Sequence, residues 1–304
     1  MAPQSRGAYL IVNADDYGYF RCVSQGILKA ATHGIVTATG VFANATHFAE
    51  DAAKLRDCIP LDVGVHLNLT EGMPLTSELR GRLSRWSGRL PGKFAMAGAL
   101  LSRVVKTEDV SREWRAQIER CLEHGLRVRF LNSHEHLHML PALYPVASAL
   151  AKEYGIAHLR FPAVQGGGGS VNGSLFRNAV IKTLGAINRR HADTPRTHFL
   201  GLETTGKIGL PYLERSISRL GAGEIYELMC HPGEFDAREV TDRRLLRYHD
   251  WEGELGTLTS PAARELLRQH GVRLIGYRHL RVEDGRLVVE PENRIALDLH
   301  LRPL

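Results

Sequence analysis

The sequence predicts an α/β fold: a deformed or incomplete (β/α) barrel of about seven parallel strands in a single domain. Three observations predict it. Short β-rich runs alternate with helical patterns from residue 9 to residue 275, and such units join parallel strands by right-handed crossovers. The polar motifs fall at the ends of strand runs, where barrel sites form. Finally, 304 residues, 43% of them apolar, are enough to bury one large core.

Residues 9–14 are an apolar strand, and 20–33 a helix that stops at Gly34. A second strand over 36–43 precedes a helix over 46–57, and a third strand spans 61–69. Residues 70–110 form an insertion rich in Gly, Arg and Ser, with some helix over 94–105. The helix over 111–124 is expected to be capped by Ser111 and closed by Gly125. A fourth strand over 128–133, a helix over 141–154 closed by Gly155 and a fifth strand over 157–161 follow. Gly166 to Gly169 break the pattern as a mobile surface loop without phosphate-loop spacing. Next come a helix over 175–190, a strand over 197–202, a helix over 211–220 and a strand over 224–230. A helix over 261–270 and a short strand over 272–275 lead to a less regular segment, 280–304, expected to add a small hairpin.

The longest apolar runs fall far short of the ~20 residues of a membrane span, and the start lacks the regions of a secretory signal. Cys22, Cys58, Cys121 and Cys230 are scattered with no C-x-x-C, which reads as reduced thiols in a cytoplasmic protein. The net charge is +6, with arginines recurring over 80–89 and at Arg127, Arg129, Arg243, Arg244 and Arg247. This is either a mildly basic solvated surface or attraction to an anionic partner: a phosphorylated or lipid-linked sugar, a membrane surface or nucleic acid. No helix-turn-helix, zinc-finger or RNA-binding signature accompanies the charge, so nucleic acid is not the expected partner. A homodimer is compatible with the sequence.

Four motifs carry chemistry. Asn13-Ala14-Asp15-Asp16-Tyr17-Gly18 ends the first strand. Adjacent carboxylates there are costly unless a cation or proton donor offsets them, although a turn pair at a strand–helix junction is the plainer alternative. His66-Leu67-Asn68-Leu69-Thr70-Glu71-Gly72 ends the third strand; a lone strand histidine is more often a hydrogen-bonded core residue. Asn132-Ser133-His134-Glu135-His136-Leu137-His138 follows the fourth. If the strand continues through it, Asn132, His134, His136 and His138 share one face. Glu227-Leu228-Met229-Cys230-His231-Pro232-Gly233 ends a late strand, where Pro232 and Gly233 stop it and leave His231 at the rim, with a turn histidine as the plainer alternative. An Asp with two His leaves coordination positions open, as catalytic metals require. A carboxylate base and a histidine acid would complete a hydrolase. A two-carboxylate glycoside hydrolase fits less well, because neighbouring carboxylates are badly placed to flank a bond and the histidines stay idle.

In their order, these motifs resemble those of the YdjC-like carbohydrate deacetylases, among them chitooligosaccharide deacetylases. The resemblance reaches from residue 13 to about residue 233. It implies a deformed α/β barrel, one divalent metal ion (Zn or Mg first, then Co or Mn), and removal of an N-acetyl group from an amino sugar or oligosaccharide. By position, Asp16, His66 and His134 would bind the metal. Asp15 would be the general base toward the attacking water, and His231 the general acid toward the leaving amine. His136 and His138 would support the site or line the sugar. The family often has Asp where this chain has Asn132, so a carboxylate contact to a histidine would become an amide contact. Tyr17 stands where Phe is common and would add a hydroxyl near the site. Arg160, in Leu159-Arg160-Phe161-Pro162, resembles a family position that contacts substrate or a carboxylate.

Overall fold

Leu10, Ile11 and Val12 begin a run that only a strand covered on both faces can bury, and they lie in β1 (Tyr9–Tyr17). The computed structural model describes residues 7–58, 60–162, 174–189 and 196–290. Helix α1 (Arg21–His33) turns Val23, Ile27 and Ala30 to the core from one face. Then come β2 (Ala38–Val41), α2 (Phe48–Asp57) and β3 (Asp62–Leu67). The insertion holds α3 (Ser77–Arg82) and α4 (Lys93–Leu101) and runs into α5 (Thr107–Glu123). Next are β4 (Val128–Ser133), α6 (Tyr144–Glu153), β5 (His158–Leu159), α7 (Ser174–Asn188), β6 (His198–Leu200), α8 (Leu210–Ile217) and β7 (Ile225–Cys230). Last are α9 (Arg243–Tyr248), α10 (Trp251–Thr259), α11 (Pro261–Gln269), β8 (Arg273–Leu274) and the hairpin β9 (Leu280–Glu283) and β10 (Arg286–Val289).

Seven strands pair in the order β5-β4-β3-β2-β1-β7-β6, with β8 also on β1, and every pairing among them is parallel. The sheet must curl. Four inter-strand spacings separate β5 from β1, about 19 Å in a flat sheet. Yet Arg160, just past β5, places Nη1 2.5 Å from Asp15 Oδ2 on β1 and Nε 2.6 Å from Glu227 Oε1 on β7. The guanidinium spans the concave side, so the strands form an incomplete barrel with β5 and β6 as its edges among the described residues. At the opposite end, Tyr277 stacks on Phe130 with ring centroids 4.2 Å apart.

Several boundaries differ from expectation. Strand β1 runs to Tyr17 because Asp15 and Asp16 are held by polar partners instead of ending it. Helix α5 starts at Thr107, and Ser111 is not its cap: the Asp109 carboxylate accepts the Lys106 N–H at 3.0 Å. Gly125 and Gly155 do follow their helices with φ of 76° and 64°. Helices α9 and α10 fill a stretch for which the periodicity predicts no element. The hairpin turns at Asp284 and Gly285, both with positive φ. The four-glycine loop at 166–169 and the tail beyond residue 290 lie outside the described residues. All four cysteines are free and buried.

Candidate active site

Parallel strands deliver their C-terminal ends to one side, and register aligns the site residues there. His66 on β3 pairs with Asn132 on β4, and Ala14 on β1 with Cys230 on β7. This puts Asp15, Asp16, His66, Asn132, Arg160 and His231 around one mouth. The two adjacent carboxylates diverge, one to each side of the strand. Asp16 has φ of 73°, a left-handed conformation that turns its carboxylate toward the histidines.

Arg160 Nη2 and Asn132 Nδ2 each donate to Asp15 Oδ1 at 2.9 Å. That sets the amide: Asn132 Oδ1 faces His66 Nδ1 at 2.8 Å, so Nδ1 carries the proton. His66 Nε2 then points at Asp16 Oδ1 from 3.2 Å, and His134 Nδ1 approaches the same oxygen at 2.9 Å. Nitrogens held that close to a carboxylate oxygen need a proton or a cation between them. Ligand atoms of Asp16, His66 and His134 all lie within 4.8 Å of one another. Tetrahedral ligands of one ion sit about 3.4 Å apart, so the three fit a small divalent cation. Gly40 allows this packing, because a Cβ there would sit 2.9 Å from Asn132 Oδ1 and 3.1 Å from His66 Nδ1.

The electrostatics follow from burial and charge. Burial works against the Asp16 carboxylate, but His134 and His66 hold its pKa well below the ordinary range. Burial likewise opposes Asp15, and Arg160 overrides it, keeping that group ionised. Burial disfavours a charged His134, yet Asp16 raises its pKa. Burial lowers that of His231 despite Asp16 and Asp15 nearby.

The histidine triplet does not behave as a continued strand. Strand β4 stops at Ser133, and a 3₁₀ turn follows with Glu135 and His136 at φ of 53° and 55°. His138 folds back: its Nδ1 lies 2.5 Å from Ser133 Oγ and its Nε2 2.8 Å from the Arg160 carbonyl, so it braces β4 against β5. Burial takes its pKa to about 4. His136 is half-buried, and desolvation with the nearby Arg160 charge holds it neutral; its Nδ1 is buried and unpartnered among the described residues. Tyr17 is a second correction. Its hydroxyl donates to the Asp51 carbonyl at 3.3 Å inside the core, away from the mouth. Tyr19 stands there instead, its ring 5.6 Å from that of His134, with Phe42 5.0 Å from the same imidazole. Arg160 is a carboxylate partner whose side chain is 0% exposed, which leaves it no surface for substrate.

Sequence reasoning gives no role to three residues, of which only Glu227 stands in a motif. Glu227 anchors Arg160 from β7, and its signal was a lone carboxylate inside an apolar strand. Glu254 on α10 accepts the backbone N–H groups of His231 at 2.5 Å and Ile208 at 2.9 Å. His249 lies 5.0 Å from His231, ring to ring, and stacks on Trp251. Nothing in the local pattern marks either of the last two.

A family model described as YdjC-like protein matches residues 9–269, which span every one of these site residues. The chain belongs to the YdjC-like family. Among its YdjC-like relatives, a carbohydrate deacetylase of Geobacillus stearothermophilus is 33% identical over 89% of this chain and 97% of its own length. A chitooligosaccharide deacetylase of Klebsiella pneumoniae is 32% identical over 88% of this chain and 98% of its own. The crystal structure of a candidate cellobiose-phosphate cleavage protein from Enterococcus faecalis superimposes with a TM-score of 0.66 at 26% identity, covering 90% of this chain and 98% of the other.

Proposed function

We propose that this protein is a metal-dependent carbohydrate deacetylase that hydrolyses the N-acetyl group of an amino sugar. The observation that carries it is the convergence of Asp16, His66 and His134 beside a separately anchored Asp15. Those three residues would hold the cation. When bound, a divalent ion acidifies water and polarises the acetyl carbonyl. Nitrogen and carboxylate donors suit Zn²⁺ and also accept Co²⁺ or Mn²⁺, while a site completed by water suits Mg²⁺.

The remaining work falls to side chains. Asp15, ionised and fixed by Arg160 and Asn132, accepts the proton of the attacking water. His231 delivers a proton to the leaving nitrogen; its lowered pKa makes its imidazolium a stronger acid than that of a solvated histidine. Acetate and the free amine are the products. Tyr19, half-buried and stacked on the buried Phe42, offers a ring face for the sugar beside His134. The named relatives make chito-oligosaccharides the first substrates to try, ahead of phosphorylated or lipid-linked amino sugars. The cellobiose-phosphate assignment of the Enterococcus protein raises glycosidic cleavage as a second reading. A pair of working carboxylates must flank the bond, whereas here Asp15 is locked to Arg160 and Asp16 faces two imidazoles.

The test is acetate release from a panel of N-acetylated sugars, using chelated protein reloaded with each metal. Deacetylation that disappears on chelation and returns with metal is expected. Glycosidic cleavage that survives chelation would overturn the proposal.

A further inference from the structure

The net charge of this chain has one address. Of 39 basic and 33 acidic residues, seven basic and one acidic lie between Ser77, where α3 begins, and Lys106, just before α5, leaving 32 of each elsewhere. Arg85, Arg89, Arg103 and Lys106 are exposed and have no ion-pair partner among the described residues. The same stretch carries the two most exposed large apolar side chains among the described residues, Phe94 at 82% and Leu101 at 87%. Both belong to α4, and Phe94, Gly98 and Leu101 fall at i, i+4 and i+7, one face of a helix. Met96 and Ala99 bury the other face. Arg89 and Lys93 stand at one end of this helix, and Arg103 and Lys106 at the other.

We infer that α4 and its basic flanks dock this protein on an anionic lipid bilayer. Solvated arginines alone would leave the apolar stripe unexplained, and a purely hydrophobic contact would leave the charge unexplained. A short helix with an apolar face between cations answers both, because acyl chains take the stripe and anionic headgroups the cations. The placement has a use. Lys93 Nζ lies 2.6 Å from Glu135 Oε1, and Glu135 directly follows His134. The insertion also returns to the β3 loop, with Leu90 N–H on the Gly72 carbonyl at 3.0 Å and Gly92 N–H on that of Thr70 at 3.1 Å. A membrane seated on α4 therefore lies beside the mouth of the site.

The test is flotation of the full chain with phosphatidylcholine vesicles, with and without a phosphatidylglycerol fraction, at low and high salt. It reads binding alone and stands apart from the deacetylase proposal. Binding to the anionic vesicles at low salt is expected, falling tenfold or more at high salt or on neutral vesicles. Phe94→Ser with Leu101→Ser, and separately Arg89→Gln with Arg103→Gln, should each lose tenfold or more while circular dichroism and melting stay unchanged. Equal binding to both vesicle types, or binding that ignores these substitutions, would overturn the inference. So would a dimer in light scattering that Phe94→Ser with Leu101→Ser dissolves, since a second copy would then cover the stripe. Salt-sensitive retention on RNA without vesicle binding would overturn it too.

Discussion

Asn132 sets a proton, and that single amide decides how the site is wired. Its Nδ2 neutralises part of Asp15 while its Oδ1 fixes the His66 tautomer. Asn132→Asp would place a second carboxylate where a donor now stands, 2.9 Å from Asp15 Oδ1. Two touching carboxylates share a proton, so the acid limb of kcat/KM should move up by about one pH unit or more, as a pH–rate profile would read. Asp15→Asn should keep the metal and lose about 10²- to 10⁴-fold in acetate release, whereas His134→Ala should lose metal content itself. Near-normal turnover in Asp15→Asn would remove that residue from the base role. At this scale the sequence was readable where chemistry needs residue types at strand ends: Asp16, His66 and His134 do meet. It was opaque where backbone geometry decides. Two residues in the left-handed region turn His136 and His138 out of register with His134, and no side-chain pattern encodes that turn.

Among the elements, α10 contributes most beyond its packing against α1. Its Glu254 is fully buried, and burial pushes its carboxyl from 4.5 up to about 8 against two backbone N–H groups. The folded-state pKa lies above the unfolded one, so this group's contribution to stability is whole below about pH 4.5 and is lost as pH rises through about 8. Glu254→Gln faces one backbone donor with an NH₂ group and should cost about 1–3 kcal/mol at acid pH. The gap to the wild type should narrow toward pH 8, as thermal unfolding from pH 5 to 9 would record. A gap that widens over that range would reject the assignment. The β-rich runs announced all seven strands because buried strands need unbroken apolar sequence. Helices α9 and α10 stayed hidden because α9 buries no residue and α10 carries two glycines and buries a carboxylate, Glu254, beside Trp251, Leu255 and Leu258.

For the whole molecule, Arg160 is the tie across the cup. It joins β5 to β1 and β7 with a side chain fully removed from solvent. Arg160→Leu would strand two buried carboxylates and should cost about 3–5 kcal/mol in urea unfolding, far more than a typical surface charge. A loss under 1 kcal/mol would mean that the curl does not depend on this tie. Curvature was legible only as a count of strand–helix units; the residue that enforces it directly follows a two-residue strand with little pattern of its own. A different consequence follows from the backbone at the mouth. Asp16, Glu135 and His136 make up half of the six non-glycine residues with positive φ among the described residues. Each such conformation costs about 1 kcal/mol that glycine would recover. Directed evolution for heat resistance alone should therefore collect glycines at these positions. At Asp16 the hardier enzyme would be an idle one, so durability and turnover compete for the same few residues.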